Sequence, residues 1–262
     1  MKVQGKKLIV TGAGGGIGRE LVAEIISRGG EVIAVDVNKE NLEKTVALAP
    51  ENIRPVVLDI TNAEKVVEFA QNPEYAAVDG IINNAGIIQP FVKILDLTDQ
   101  DISRIMDVNF YGTLNLIRAF LPALLRRPEA HIINLSSMGG FLPVPGQGIY
   151  GAAKAAVKLM TEALHGELRE TGVKVSVVFP GAVKTNIKAN SGLAEENKEK
   201  DAKQGMKILA PEDAALQILD GMEGNKVRII LGKDAKMMDF LYRLSPGFAS
   251  GLIAKKMADK LK

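Results

Sequence analysis

The chain has 262 residues, 47% of them hydrophobic and 24% charged, with a net charge of +2. That length can bury one large core, and so balanced a charge excludes nucleic-acid binding by bulk electrostatics. No cysteine is present, which excludes disulfides, thiolate catalysis and cysteine-ligated metal, and His131 and His165 belong to no ligand cluster, so no metal is expected.

Lys6 and Lys7 lead straight into a strand, Lys7 to Thr11, with no signal-peptide pattern. No apolar run along the chain approaches the roughly 20 residues of a membrane-spanning helix, so a soluble, cytoplasmic protein is expected. Gly12-Ala13-Gly14-Gly15-Gly16-Ile17-Gly18 follows the strand, and Leu21, Val22, Ile25 and Ile26 predict a helix over Gly16–Arg28. Strand, glycine turn and helix in that order aim backbone amides at a phosphate, and glycine lets a pyrophosphate come close. The spacing is T-G-x-x-x-G-x-G, through Thr11, Gly12, Gly16 and Gly18.

The second strand, Glu31 to Val35, ends at Asp36, where a carboxylate can accept both hydroxyls of an adenosine ribose and repel a 2′-phosphate. Gly15 and Val37 supply no cation there, so NAD is favoured; Lys39 keeps NADP as the alternative. Further strands are predicted over Ile53–Leu58, Val78–Asn83, His131–Leu135, Val173–Phe179 and Lys226–Leu231. Helices are predicted over Lys39–Leu48, Ala63–Gln71, Asp99–Arg126, Tyr150–Glu170 and Pro211–Met222. Thr98 with Asp101 forms an N-cap, and Gly172 is read as the stop of the Tyr150 helix. Seven strands in repeated β-α units, with few aromatics, predict an α/β fold: a doubly wound parallel sheet of the Rossmann type in a single domain. Gly12, Asp36, Asp59, Asn83, Ser137 and Pro180 all fall at carboxyl ends of strands, where a ligand should sit.

Tyr150 and Lys154 are four residues apart on one helix face, thirteen and more residues after Ser137. A phenol titrates near pH 10, and an ammonium beside it would lower that value toward neutrality. Ser137 can hydrogen-bond an oxygen that gains or loses charge. The set is suited to moving a proton at an alcohol or carbonyl oxygen.

Taken together, Thr11 to Gly18, Asp59-Ile60, Asn83-Asn84-Ala85-Gly86, Asn109, Ser137, Tyr150-Gly151-Ala152-Ala153-Lys154 and Pro180-Gly181-Ala182-Val183-Lys184-Thr185 resemble the single-domain short-chain dehydrogenases/reductases, over about Lys6 to Leu231. The resemblance implies an NAD-dependent oxidoreductase that interconverts a secondary alcohol and a ketone. It implies Tyr150 as general acid/base, Ser137 on the substrate oxygen and Lys154 on the phenolate and the nicotinamide ribose. Asn109 would hold a proton-relay water. Cofactor contacts would come from Gly12, Gly15, Gly16, Ile17 and Gly18 at the turn, then Asp59 on the adenine amine beside Ile60. Asn83, Ala85 and Gly86 would line the adenosine side. Pro180, Gly181, Val183 and Thr185 would lie at the nicotinamide. The alternative is a non-catalytic dinucleotide-binding sensor or scaffold, which would typically have lost one of Asn109, Ser137, Tyr150 and Lys154. A homodimer or homotetramer is also implied, through the long helices at Asp99–Arg126 and Tyr150–Glu170.

Gly139 to Ile149, mostly apolar, and a lid-like stretch from Ile187 to Leu209 should form a pocket for a hydrophobic alcohol or ketone. Gln147 fits either a substrate contact or a loop-stabilising amide. Residues 1–232 carry −2 and residues 233–262 carry +4. In that basic tail, Met237, Met238, Phe240, Leu241 and Leu244 fall at helical spacing, and Phe248, Leu252, Ile253, Met257 and Leu261 follow a break at Ser245-Pro246-Gly247. The tail fits packing over the cleft, a partner subunit or peripheral contact with an anionic membrane.

Overall fold

A computed structural model describes residues 1–185, 187, 191–193 and 208–258. Seven strands form one sheet: β1 (Lys7–Thr11), β2 (Glu31–Asp36), β3 (Ile53–Val57), β4 (Gly80–Asn83), β5 (Ala130–Leu135), β6 (Val173–Pro180) and β7 (Arg228–Leu231). All are parallel, in the order β3-β2-β1-β4-β5-β6-β7. β1 pairs on both sides, Lys7 opposite Glu31 and Leu8 opposite Gly80. The chain therefore winds outward through β2 and β3, then returns to β4 on the far side of β1. That reversal opens a crevice at the carboxyl ends of β1 and β4.

The helices begin with α1 (Gly16–Ser27), α2 (Lys39–Val46), α3 (Ala63–Gln71), α4 (Pro73–Ala76) and α5 (Asp99–Met106). They continue with α6 (Gly112–Leu124), α7 (Gly148–Glu167), α8 (Pro211–Glu223), α9 (Lys233–Leu244) and α10 (Pro246–Met257). Strand residues alternate between the faces of the sheet. Leu8, Val10, Val32, Ala34, Ile82 and Ile133 pack under α1 and α8, while Ile9, Ile33, Val35, Ile81 and Ile132 pack under α3, α6 and α7. Two apolar layers thus sandwich the sheet, as near-continuous Val/Ile runs require of a parallel sheet. α9 and α10 add a third, smaller cluster, where Met238, Ala249 and Ile253 close on Leu142 of the loop after β5. Among the described residues no helix is long and apolar enough to cross a membrane.

Two expectations are corrected by the structure. The helix foreseen over Asp99–Arg126 begins at Asp99 with a full Thr98/Asp101 capping box but changes to a π-turn at Asp107–Tyr111, then resumes as α6. No composition signal marks Asp107-Val108-Asn109-Phe110-Tyr111 as a widened turn. α7 ends at Glu167, so Gly172 does not stop it. Gly172 is instead needed for close approach, since a Cβ there would lie 2.6 Å from the Pro128 carbonyl oxygen leading into β5.

His131 lies inside β5, as the predicted strand had it. Its Nε2 is 2.8 Å from Ser176 Oγ, which itself donates to the Lys226 carbonyl at 2.7 Å. Nε2 must then carry the proton, and the buried Nδ1 has no partner among the described residues. Burial pushes the imidazole down from 6.5 to about 3, with the N-terminal ammonium and Lys174 adding to the effect. The folded state therefore resists a proton that the unfolded chain accepts near pH 6.5. This contribution to stability is full above that pH and is lost as pH falls toward 3. Denaturant midpoints should decline as pH drops below about 6.5, and more steeply than in a His131→Asn variant; parallel profiles would show that His131 does not carry this dependence.

Candidate active site

The turn after β1 is left-handed at two points, Gly12 (φ 64°) and Gly16 (φ 53°), which glycine alone adopts without strain. A Cβ on Gly14 would lie 2.9 Å from Asp36 Oδ2, so the backbone amide can reach the carboxylate directly. The Gly14 amide donates to Asp36 Oδ2 at 2.8 Å, and the Asn38 amide donates to Oδ1 at 2.9 Å. Each oxygen keeps a free acceptor site, and the carboxylate is held in place. Gly15, Gly16, Ile17, Asp36, Asp59 and Ile60 line a cavity of about 670 Å³ with Ala85, Gly86 and Thr185. Asp59 Oδ1 accepts from both the amide and hydroxyl of Thr61, at 2.9 and 2.8 Å. Gly18 lines no part of the cavity. It is buried against the Gly12 carbonyl, where any side chain would collide, so it sets the approach of α1 to the turn.

Behind Gly86, outside the residues that line this cavity, Lys154 is buried on α7 and its Nζ donates to the Leu135 carbonyl at 3.0 Å. A Cβ on Gly86 would lie 3.1 Å from that Nζ and 2.7 Å from Asn109 Oδ1, so the loop after β4 can close here only as glycine. Asn109, on the π-turn, donates through Nδ2 to the carbonyls of Ile87 (2.9 Å) and Ile105 (3.0 Å) and accepts from the Ile87 amide (3.1 Å). Its side chain clamps the loop backbone. Ser137 Oγ accepts from the Gly139 amide at 3.1 Å and hydrogen-bonds the Tyr150 phenol. Burial pushes that phenol up, and the Ser137 hydrogen bond works against it. Burial pushes the Lys154 ammonium down, to about 8. The expected lowering of Tyr150 by Lys154 is therefore absent here. The shared helix face brings the pair together, but the ammonium turns to Leu135 while the phenol turns to Ser137.

Gln147 Nε2 donates to the Gln89 carbonyl at 3.0 Å and the Gly146 carbonyl at 3.1 Å, and the residue also lines a second cavity beside Phe141 and Val144. Gln89, which the sequence reading passed over, is fully buried and accepts from the Tyr150 amide at 2.8 Å while donating to Gly146 O at 3.0 Å. It fixes the start of α7, and with it the phenol. A glutamine between apolar Ile88 and Pro90 was the only available signal.

Residues 6–196 match the family model for short chain dehydrogenases. SadH of Mycobacterium tuberculosis, an oxidoreductase by name, is 35% identical over 267 residues, covering 97% of this chain and 96% of the relative. The chain belongs to the short-chain dehydrogenase/reductase family. Among solved structures, a short chain dehydrogenase from Burkholderia cenocepacia in complex with NADP is 29% identical, with TM-score 0.82 over 97% of this chain and 99% of that one. A family member from Burkholderia phymatum in complex with NAD is 27% identical, with TM-score 0.80 over 88% and 90%.

Several positions that the family pattern implies for the cofactor do not line this cavity. Asn83 does not line the cleft. Its side chain is buried in the sheet, with Nδ2 donating to Asn134 Oδ1 at 2.8 Å, because alternation in β4 turns it away from the crevice. The next residue, Asn84, lines the cavity and donates to the carbonyls of Thr11 (2.9 Å) and Gly12 (3.3 Å). Of the Pro180–Thr185 segment, only Thr185 reaches the cavity wall. Pro180 ends β6, Gly181 packs on the Asp234 carboxylate and Val183 pairs with Leu209. Most of the lid-like stretch, residues 188–190 and 194–207, lies outside the described residues. Ser191 ties what precedes it to the loop after β4, accepting from the Ile88 amide at 2.9 Å. Asn83→Ala, which strands a buried partner, should cost about 1–3 kcal/mol in unfolding and leave dinucleotide affinity nearly unchanged; NADH fluorescence titration checks this, and a large rise in Kd would return Asn83 to the binding site.

Proposed function

We propose that the chain is an NAD-dependent dehydrogenase that interconverts a hydrophobic secondary alcohol and the corresponding ketone. The observation that carries this is a cavity walled by the fixed Asp36 carboxylate and by Gly86, the latter close against Lys154 Nζ on the helix that also carries Tyr150. The crevice fits a dinucleotide: glycine backbone replaces side chains where a pyrophosphate must approach, and a Cβ at Gly14 would collide with the Asp36 carboxylate. Gly14 to Ile17 would hold the pyrophosphate, Asp36 the adenosine ribose, Asp59 the adenine and Thr185 the nicotinamide carboxamide. Asp36 favours NAD because both its oxygens keep an acceptor site for a hydroxyl, while its charge repels a 2′-phosphate.

When bound, the nicotinamide accepts or supplies the hydride. The remaining work falls to this chain. Ser137 Oγ holds the substrate oxygen. In oxidation Tyr150 takes the hydroxyl proton, and in reduction it returns one. The Lys154 ammonium offsets the phenolate charge, and Asn109 with Gly86 keeps the loop after β4 closed over that ammonium. A second cavity of about 530 Å³, walled by Phe141, Leu142, Pro143, Val144 and Tyr242, supports an apolar substrate. Exposed Tyr111 on the π-turn, Leu125 just after α6 and Leu159 on α7 support self-association through these helices, and a cytoplasmic location completes the reading.

Tyr150→Phe should lower turnover of a hydrophobic secondary alcohol by about 10²–10⁴-fold with NADH affinity changed less than a few-fold. Unimpaired turnover in that variant would remove the proposal. Asp36→Ser should lower kcat/KM with NAD and raise it with NADP; an unchanged ratio of the two would show that Asp36 does not select the cofactor.

A further inference from the structure

The C-terminal hairpin of α9 and α10 presents an apolar stripe to the outside. Met237, Phe240, Leu244, Phe248 and Leu252 are between 43% and 69% exposed. They recur at three- and four-residue steps, which place them along one side of each helix. The opposite sides, through Met238, Ala249 and Ile253, are spent on the loop after β5. The stripe is therefore not surplus core.

Charge decides what it fits. Both described carboxylates of the hairpin are engaged on its inner side. Asp234 accepts from the Ala182 amide at 2.8 Å, and Asp239 pairs with Arg228 and Arg243, each at 3.0 Å. Lys233, Lys236, Arg243 and Lys255 are exposed among or beside the apolar residues. Among the described residues no carboxylate pairs with Lys233, Lys236, Lys255 or Lys256. A second copy of this face, related by a two-fold axis, would bring the same unpaired lysines against themselves. A layer of anionic lipid headgroups would instead neutralise them, while the phenylalanines and leucines enter the acyl boundary.

We infer that this face of the hairpin is a docking surface for an anionic lipid membrane. The chain would lie on the membrane without crossing it. Tyr242, on the inner side of α9, walls the 530 Å³ apolar cavity, so docking would bring that cavity to the lipid boundary. This last consequence rests on the proposed reading of the cavity as the substrate pocket; the docking itself does not.

The test is flotation of the full chain with vesicles of phosphatidylglycerol and phosphatidylcholine, and with vesicles of phosphatidylcholine alone. The full chain should float with the first, less as salt rises, and poorly with the second. Phe240→Ser combined with Phe248→Ser should lower recovery with the anionic vesicles by at least about tenfold. These side chains are exposed, so the thermal midpoint should not move. Lys233→Glu with Lys236→Glu should also weaken binding while leaving the apolar stripe intact. Failure of the full chain to float with anionic vesicles overturns the inference. So does a smaller oligomer by light scattering in the phenylalanine variant when neither protein floats, which would make the face a subunit interface.

Discussion

A buried ammonium with no carboxylate partner among the described residues is the feature around which this molecule is arranged. Lys154 Nζ rests on one neutral acceptor, the Leu135 carbonyl at 3.0 Å, inside the packed protein. A charge in that position is costly unless it is solvated or paired, and its depression to about 8 is the visible sign. The neighbouring structure conforms to it. Gly86 is the one residue that fits beneath it, Asn109 clamps the backbone of the same loop, and Ser136 Oγ ties the Lys154 carbonyl to the end of β5 at 2.7 Å. An unsatisfied cation so held stabilises any anion that forms beside it. The phenol one helical turn away is the group able to become one.

The same low-polarity pocket pushes phenol and ammonium toward their neutral forms, by opposite shifts with a common cause. In the proposed reaction, ionising the tyrosine would draw the lysine from the Leu135 carbonyl as a partner, and the charged lysine would then lower the cost of that ionisation. Ser137 contributes a hydrogen bond that favours the phenolate. The rest of the fold supplies position. Reversal of strand order at β1 and β4 opens the crevice, Asp36 terminates it on one side, and Gln89 fixes the start of α7 on the other.

Much of this was legible in the sequence, because the sheet and its turns have strong local causes. Unbroken Val/Ile runs and repeated β-α spacing locate the strands, and Gly12 and Gly16 mark backbone that other residues adopt only under strain. The Tyr150–Lys154 spacing places both side chains on one face. What was not legible depends on which way a side chain turns or on contacts distant in sequence. Asn83 and Asn84 are alike in type, but pleating sends the first into the sheet and leaves the second at the cleft. Gly172 has the composition of a helix stop and serves a backbone contact across to Pro128. The π-turn at Asp107–Tyr111 carries no compositional mark, and the Gln89–Gln147 network spans 58 residues. The direction taken by the Lys154 side chain could not follow from its spacing to Tyr150.

The most direct test of the central claim is the pH dependence of kcat/KM for alcohol oxidation, compared between the native chain and a Lys154→Met variant. If the buried ammonium supports the phenolate, activity rises with pH through an apparent pKa below that of a free phenol, and loss of the charge moves that limb upward. An unshifted limb in Lys154→Met would contradict the account, leaving Lys154 a structural anchor for the Leu135 carbonyl and assigning the tuning of Tyr150 to Ser137 and burial alone.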